Sequence, residues 1–517
     1  MKKQFIKISI VGIIIAISAC NNHSGPKQGK KSLKYKETWE SLAGIEKEPE
    51  WFKDSKLGIY FHWGVYSVPA YGNEWYPRWM YFPDRGEKWG GKVYAHHEKT
   101  YGSIKDFNYH DFIPMFKAEE FDAKEWALLF KNAGAKFAGP VAQHHDGFAM
   151  WDSEVNPWNV KDMGPKIDIT GELLQALKKE GLKTIATFHH ARVGQKYAKD
   201  STNWAGNGPN IGKKSHYPYH PEYITSSTDP KIRKLYGNME EEEFNEYWLA
   251  QVKEVVDQYA PDILWYDSWL DQIPEKYRQK MVAHHFNTAT IRKQEPIVIS
   301  KQEDLPRDIS LLDIEQGGKT DMSDDYWMTD ITISKGSWSY IKGQKYKSAS
   351  LLIRNMIDVW SKRGIVLLNI SPTADGVINK KQRDVLNSIG EWILLHQEAV
   401  YQTRAHSIYG YGAAKYKKGH HGGQSASMVY NQNDYRFTKS KDGKSIFIYV
   451  LGLPEPLSTL EIKHVFETKK QIDIKEVSVV GSNVHLEWSL EGEKLILKTP
   501  KATDMNEIAT VFKVEIE

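Results

Sequence analysis

Asp267 closes the run Pro261-Asp262-Ile263-Leu264-Trp265-Tyr266-Asp267-Ser268, in which a short apolar segment delivers a carboxylate beside Trp265 and Trp269. A carboxylate fixed at a strand end and walled by aromatic rings suits attack on the anomeric carbon of a sugar. The indoles hold the apolar C–H face of the ring and the carboxylate is the nucleophile. Taken alone, the same aspartate reads equally well as a helix N-cap. The chemistry also needs a second carboxyl, to protonate the leaving oxygen or to activate water. Glu315 follows the apolar Leu311-Leu312-Asp313-Ile314 and precedes Gln316-Gly317-Gly318, which puts it at a strand end beside a turn. It is preferred to Glu303, and the acidic cluster from Asp321 to Asp325 reads as a solvated loop. On this reading Asp267 is ionised and Glu315 carries a proton near neutral pH, because one must attack and the other donate.

Other polar side chains fall after apolar runs. Gln143-His144-His145-Asp146-Gly147 offers adjacent imidazoles. Neighbours on a strand point to opposite sides, and no HExxH helix is present, so hydrogen bonding to sugar hydroxyls is preferred to a metal site. Phe61-His62-Trp63-Gly64, followed by Asn73-Glu74-Trp75-Tyr76, adds a histidine, a carboxylate and an indole. His189, His190 and Lys301 also follow strand-like segments. Cys20 is the only cysteine, so with its lipidation the chain has no thiol nucleophile and no cysteine zinc site.

These residues need a scaffold that collects strand ends on one face. From residue 34 to 403 amphipathic helices alternate with short apolar strands. Helices are expected over Asp122–Ala133, Asp168–Glu180 and Glu240–Tyr259. Strands are expected over Leu57–Phe61, Lys136–Val141, Leu182–Phe188, Ile263–Tyr266, Pro296–Ser300, Leu311–Ile314 and Gly364–Leu368. No glycine-rich phosphate loop follows the first strand, which points away from an open nucleotide-binding sheet. Polar residues after six or more strands point to a closed (β/α)8-like TIM barrel. From 404 to 517 short strands separated by turns, expected over Ser445–Leu451, Ser458–His464, Glu476–Val480, Val484–Trp488, Lys494–Lys498 and Thr510–Glu517, indicate an all-β sandwich.

The first 19 residues read as a lipoprotein signal peptide. Lys2, Lys3 and Lys7 precede an apolar stretch that is short for a membrane span, and Ile17-Ser18-Ala19-Cys20 ends it with small residues before a cysteine. Cys20 is then the lipidated residue, and residues 20–33, with Gly25, Pro26 and Gly29, form a flexible tether. The protein is expected to be exported and membrane-anchored, in the periplasm or outer membrane of a Gram-negative bacterium. Asn21-Asn22 lacks the aspartate associated with inner-membrane retention. The leader carries three lysines and no acid, so its removal takes the formal charge from +3 to 0. A neutral chain without a basic cluster is not suited to nucleic acid, and contact with a membrane is expected only through the lipid.

Together the motifs resemble the α-L-fucosidases of glycoside hydrolase family 29. The resemblance is carried by Leu57-Gly58-Ile59-Tyr60-Phe61-His62-Trp63-Gly64, Glu74-Trp75-Tyr76, His144-His145-Asp146-Gly147-Phe148, Leu264-Trp265-Tyr266-Asp267 and Leu367-Leu368-Asn369-Ile370-Ser371-Pro372. It spans about Trp51 to Tyr401. It implies a catalytic barrel with a C-terminal β-sandwich, and no metal or cofactor. It further implies an exo-acting, retaining enzyme on fucose-containing oligosaccharides or polysaccharides, with Asp267 as nucleophile and Glu315 as acid/base. His62, Glu74, Trp75, His144, His145, Trp265 and Lys301 would bind the sugar, with His190 on the side that sets specificity. The chain departs from the family at Trp327-Met328-Thr329-Asp330, where many members have Trp-Glu-x-Cys, and at Phe188-His189-His190, where a Tyr-Tyr-Ser-like end is common. An α-L-galactosidase, a non-catalytic surface glycan-binding lipoprotein and a metal hydrolase on the same barrel are the alternatives.

Overall fold

The computed structural model describes residues 33–83, 91–195, 215–414, 427–466, 473–482 and 484–517. The expected leader, Cys20 and nearly all of the expected tether lie outside the described residues. Eight parallel strands close a barrel: β1 (Leu57–Phe61), β2 (Phe137–Gln143), β3 (Lys183–Phe188), β4 (Ile263–Tyr266), β5 (Ile297–Ser300), β6 (Leu311–Asp313), β7 (Trp327–Thr332) and β8 (Gly364–Ile370). Each strand pairs with its neighbour in sequence, and β8 closes the ring on β1.

The strands are apolar on both faces because both faces are covered. On β4, Ile263 and Trp265 fill the barrel interior, whereas Leu264 and Tyr266 face the surrounding helices. On β8, Ile365 and Leu367 point in, and Val366, Leu368 and Ile370 point out. The helices start and stop where the local chemistry requires. Ala123–Asn132 is capped by Asp122, whose carboxylate accepts from the backbone N–H groups of Lys124 and Glu125, and Asp168 caps Ile169–Lys179 through Gly171. Among the described residues no helix is long and apolar enough to cross a membrane.

Strand β7 is absent from the sequence-based expectations. Its alternating Thr329, Asp330 and Thr332 break the apolar run that marks the other barrel strands. Two strands of the C-terminal region were also not expected, β9 (Thr403–Tyr411) and β10 (Tyr435–Ser440). The remainder are β11 (Ser445–Val450), β12 (Thr459–Ile462), β13 (Ile474–Val479), β14 (Trp488–Glu491), β15 (Lys494–Lys498) and β16 (Thr510–Ile516). The strand expected over Val484–Trp488 begins only at Trp488. These eight strands form a five-stranded antiparallel sheet, β9-β10-β11-β16-β13, and a three-stranded one, β12-β15-β14. Ile448, Val477 and Phe512 of the first sheet share one core with Ile462, Leu495 and Leu497 of the second, which makes the module a sandwich.

A buried ion cluster ties sandwich to barrel. Asp358, on the helix Ala349–Ser361, accepts from Arg436 Nε of β10 at 2.5 Å and from Lys362 Nζ at 3.0 Å. All three side chains are almost fully buried. Burial opposes ionisation of Asp358, but Arg436 and Lys362 outweigh it and hold its pKa below the ordinary carboxylate value. A depressed pKa stabilises the fold above the unfolded-state value, and that contribution is lost as pH falls through the folded-state value. Asp358→Asn leaves two buried cations without their anion and is expected to cost about 3–5 kcal/mol. A lower urea midpoint at neutral pH checks this, and the gap between variant and wild type should narrow in acid. An unchanged midpoint would show that the cluster holds nothing together.

Candidate active site

One rule of strand geometry assembles the site. Tyr60, Trp265, Ile299, Met328 and Leu367 point into the barrel, and side chains two residues apart share a face. The next inward positions at the strand exits are therefore His62, Asp267, Lys301, Asp330 and Asn369. His189 and Glu315 follow the same count after β3 and β6. His62, His189, Asp267, Lys301, Glu315 and Asp330 line one pocket of about 240 Å³, together with Glu74, Trp75, His144, Trp269 and Trp338. That volume takes a single pyranose ring. A larger cleft of about 960 Å³ opens between the opposite barrel end and the sandwich. Its lysines are engaged locally, Lys183 by Asp262 and Lys441 by Glu50 and Asp54, and it gathers none of the strand-exit residues.

Lys301 is the electrostatic hub. Its Nζ lies 2.9 Å from Asp267 Oδ1, 3.1 Å from Glu315 Oε2 and 3.1 Å from Asp330 Oδ2. Burial disfavours the ammonium, yet these carboxylates outweigh it and hold its pKa well above the ordinary lysine value. Asp267 also meets His145 Nε2 at 3.3 Å through Oδ2. Burial pushes the Asp267 carboxyl up, but the Lys301 ammonium and the hydrogen bond from His145 hold it well below the usual carboxylate range. Because Asp267 and Glu315 touch the same Nζ, their nearest oxygens lie no more than about 6 Å apart, nearer the spacing of retaining than of inverting carboxyl pairs. Glu303, the other candidate, is 81% exposed and pairs with Arg307. Asp321, Asp324 and Asp325 lie on the surface.

The histidines are neutral. Burial lowers His62 to about 4 and takes His144 and His189 well below the ordinary imidazole value. Asn369, from the motif that ends β8, sets the His62 tautomer. Its Nδ2 donates to Thr332 Oγ1 at 3.0 Å and to the Trp338 carbonyl at 2.8 Å. Its Oδ1 must then accept from His62 N at 2.9 Å and from His62 Nδ1–H at 2.8 Å, which leaves Nε2 as an acceptor. His144 and His145 both enter the site, contrary to the expectation that adjacent histidines diverge. The register of β2 against β3 shifts between Val141 and Gln143, and the chain leaves the strand at Gln143, so alternation no longer applies. Gly147 completes that turn at φ +81°, where a Cβ would lie 2.3 Å from the Leu235 carbonyl oxygen.

His62, His144 and His189 bring potential ligand atoms within 4.8 Å of one another. Metal-bound histidines ordinarily donate their second ring nitrogen to a carboxylate, a carbonyl or water. Among the described residues His144 Nδ1 and His189 Nδ1 meet no protein partner, whereas His62 Nδ1 is held by Asn369 Oδ1. The trio fits a cage for hydroxyl groups better than a metal centre, and Trp265 Nε1 adds one more buried, unpartnered donor.

Glu74 and Trp75 arrive from a loop. Glu74 Oε2 accepts from Trp338 N at 3.0 Å, and burial, partly offset by such backbone donors, raises its pKa to about 7. Trp75 stands 5.2 Å from His145 and 6.0 Å from Trp269, centroid to centroid. Trp269 adopts a left-handed backbone (φ +74°), a conformation that costs a bulky residue and persists where the surroundings enforce it. Its N–H donates to Gln302 Oε1 at 3.0 Å, and Arg192 sits 4.1 Å over its ring. Trp265 lies below the pocket, with Lys301 Nζ 4.9 Å over its ring.

His190 is a correction. It lies outside the pocket and stacks on Trp248 at 5.7 Å, among the helices around the barrel. Phe188 points outward, so the inward place belongs to His189, and His190 begins a helical turn. Trp338, His216 and Arg192 went unnoticed in the sequence. All three come from connections, where no periodic pattern marks an inward position.

A sequence profile of the family described as Alpha-L-fucosidase matches residues 23–398. The chain is 27% identical over 488 residues to the plasma alpha-L-fucosidase of Pongo abelii, covering 91% of this chain and 90% of that protein. It is 28% identical over 386 residues to the alpha-L-fucosidase of Dictyostelium discoideum, covering 72% and 75%. Among solved structures, the Thermotoga maritima alpha-fucosidase in complex with fucose superposes with a TM-score of 0.68 at 27% identity, over 93% of this chain and all of that one.

Proposed function

The chain belongs to the α-L-fucosidase family of glycoside hydrolases, and from that premise we propose that it is an exo-acting, retaining enzyme that releases terminal L-fucose from oligosaccharides or polysaccharides. The observation that carries this reading is the pair Asp267 and Glu315 on either side of Lys301. The ionised Asp267 attacks the anomeric carbon as the glycosidic C–O bond breaks, and the leaving oxygen takes the proton of Glu315. The product is a fucosyl ester on Asp267. Glu315, now a carboxylate, takes a proton from water, whose oxygen attacks the same carbon and returns Asp267 as a carboxylate. The neutral imidazoles of His62, His144 and His189 hold the sugar hydroxyls, with Glu74 at the rim and Trp75, Trp269 and Trp338 as walls. No step needs a metal.

The experiment is hydrolysis of 4-nitrophenyl α-L-fucoside by the chain from Ser32 onward, with the α-L-galactoside as comparison and EDTA as control. Faster release from the fucoside, unaffected by EDTA, is expected. A hydrophobic site rejects an added hydroxyl by only about 10²-fold, so a preference for the galactoside would reassign the substrate. No hydrolysis of either would leave a glycan-binding role.

Localisation follows from the leader. We propose that Cys20 is lipidated and anchors the protein in the periplasm or outer membrane, because a basic start, a short apolar stretch and small residues precede the only cysteine. Labelling with an alkyne fatty acid, abolished by Cys20→Ala, is the expected result. Labelling that survives the substitution would disprove the anchor.

A further inference from the structure

Two buried carboxyl groups, Asp330 in the pocket wall and Asp313 behind it, have no role in the double displacement. Asp313 ends β6 and Asp330 lies on β7, each 1% exposed. Asp313 is in register with Met328, whose side chain fills the barrel interior. Asp330, two residues on, shares that face, so the carboxyls are diagonal neighbours in hydrogen-bond contact. Asp330 Oδ2 accepts from Tyr60 OH at 3.0 Å and meets Lys301 Nζ at 3.1 Å. Among the described residues Asp330 Oδ1 and both oxygens of Asp313 meet no donor if both groups are ionised.

Among the described residues the titratable groups that face this pair come from four strands or strand ends. Tyr60 comes from β1, Asp267 from the end of β4, Lys301 from the end of β5 and Glu315 from just beyond β6. Arg307 approaches from the β5–β6 connection but donates NH1 to the Leu311 carbonyl at 3.0 Å and pairs with Glu303. Three carboxyls contact the buried Lys301 ammonium and Asp313 lies behind Asp330, a crowding in which like charges cannot all ionise. A pair of carboxyls becomes satisfied when one carries a proton and donates it to the other. Burial and the neighbouring Asp330 push Asp313 well up, although Lys301 opposes them. Asp330 is raised as well, by burial and by Glu315, with Lys301 and the hydrogen bond from Asp313 opposing this, but Asp330 is the member of the pair that Lys301 and the Tyr60 hydroxyl contact. The proton therefore belongs on Asp313.

We propose that Asp313 is a positioning residue that stays protonated at neutral pH, donates its O–H to Asp330, and so keeps Asp330 as the carboxylate that ties Lys301 between nucleophile and acid/base. The proposal rests on the double-displacement reading for its effect on catalysis, though not for the proton itself. With Asp330 neutral, the Lys301 charge would fall undivided on Asp267 and Glu315. Glu315 would then lose its proton at lower pH, and the hold on Asp267 would tighten.

The test compares kcat/KM against pH for wild type, Asp313→Asn and Asp330→Asn on an alkyl α-L-fucoside, whose poor leaving group needs the proton of Glu315. An asparagine amide replaces the donor of a protonated Asp313, so Asp313→Asn should stay within about threefold of wild type with both limbs in place. Asp330→Asn should lose about tenfold or more and move the alkaline limb to lower pH. If Asp313→Asn shifts that limb as far as Asp330→Asn, Asp313 is ionised and the proposal is wrong; an unmoved profile in Asp330→Asn overturns it equally. An infrared difference spectrum of wild type minus Asp313→Asn at neutral pH gives a readout independent of turnover. It should show the carbonyl stretch of a buried carboxylic acid, and its absence refutes the proton even if Asp330→Asn does not fold. Wild type inactive on both fucosides and α-L-galactosides, with the infrared band present, would instead refute the glycosidase reading.

Discussion

Asp267→Gly is expected to lower turnover of 4-nitrophenyl α-L-fucoside by about 10⁴-fold or more, the scale seen when a residue that forms the covalent intermediate is removed. The loss should be of chemistry and not of fold. Lys301 keeps Glu315 and Asp330 as partners at 3.1 Å each, so no buried cation is left alone. His145 loses its contact with Asp267 but is held neutral by burial. Truncation of a histidine that only holds a hydroxyl should cost far less, because the remaining cage still orients the ring. The vacated space also allows a small external nucleophile. Azide should restore release of nitrophenol from Asp267→Gly and yield a fucosyl azide of inverted configuration, since it enters from the side the aspartate has left. Retention of most activity in the variant would remove Asp267 from the mechanism. Rescue that gave the other anomer would place the attacking group elsewhere.

How much of this was legible in the sequence depends on which element carries each residue. Asp267, Lys301, Glu315 and His62 stand at exits of strands whose apolar runs announce them, and two-residue alternation carries the inward side to the exit. The same count separates His189 from His190, but only when the direction of Phe188 is known, and that direction is set by helices packed outside the barrel. Asp330 was visible only as a departure from a motif. Its strand reads poorly because β7 places Thr329, Asp330 and Thr332 where apolar residues usually reveal a buried strand. Trp338 sits in a connection and is held at the site by backbone hydrogen bonds, from its N–H to Glu74 and from Asn369 to its carbonyl, long-range contacts that no local pattern encodes. The five-stranded sheet was underread for a related reason. β9 carries a register shift between Ala405 and Gly410, so its alternation is interrupted.

Glu315→Ala should produce a different defect from Asp267→Gly, and the difference identifies the acid/base. Protonation of the leaving group matters most when that group is a poor one. With an alkyl or sugar aglycone the loss should reach about 10²–10⁴-fold, the usual scale of general acid catalysis. With 4-nitrophenol, which departs as a stable anion, ester formation should be nearly spared and its breakdown should become limiting, because no base remains to activate water. A burst of nitrophenol ahead of a slow steady state is the expected signature. Azide needs no base, so it should speed the second step and yield the azide of retained configuration, opposite to the product from Asp267→Gly. On the alkyl or sugar fucoside the alkaline limb of kcat/KM should also disappear, since there it reports loss of the proton from Glu315. The geometry limits collateral damage: Glu315 is 27% exposed, and its removal leaves Lys301 paired with Asp267 and Asp330. If the variant lost activated and unactivated fucosides equally and azide rescued neither, Glu315 would only position Lys301. The proton donor would then have to be sought elsewhere around the pocket, beginning with Glu74, whose buried carboxyl is raised to about 7.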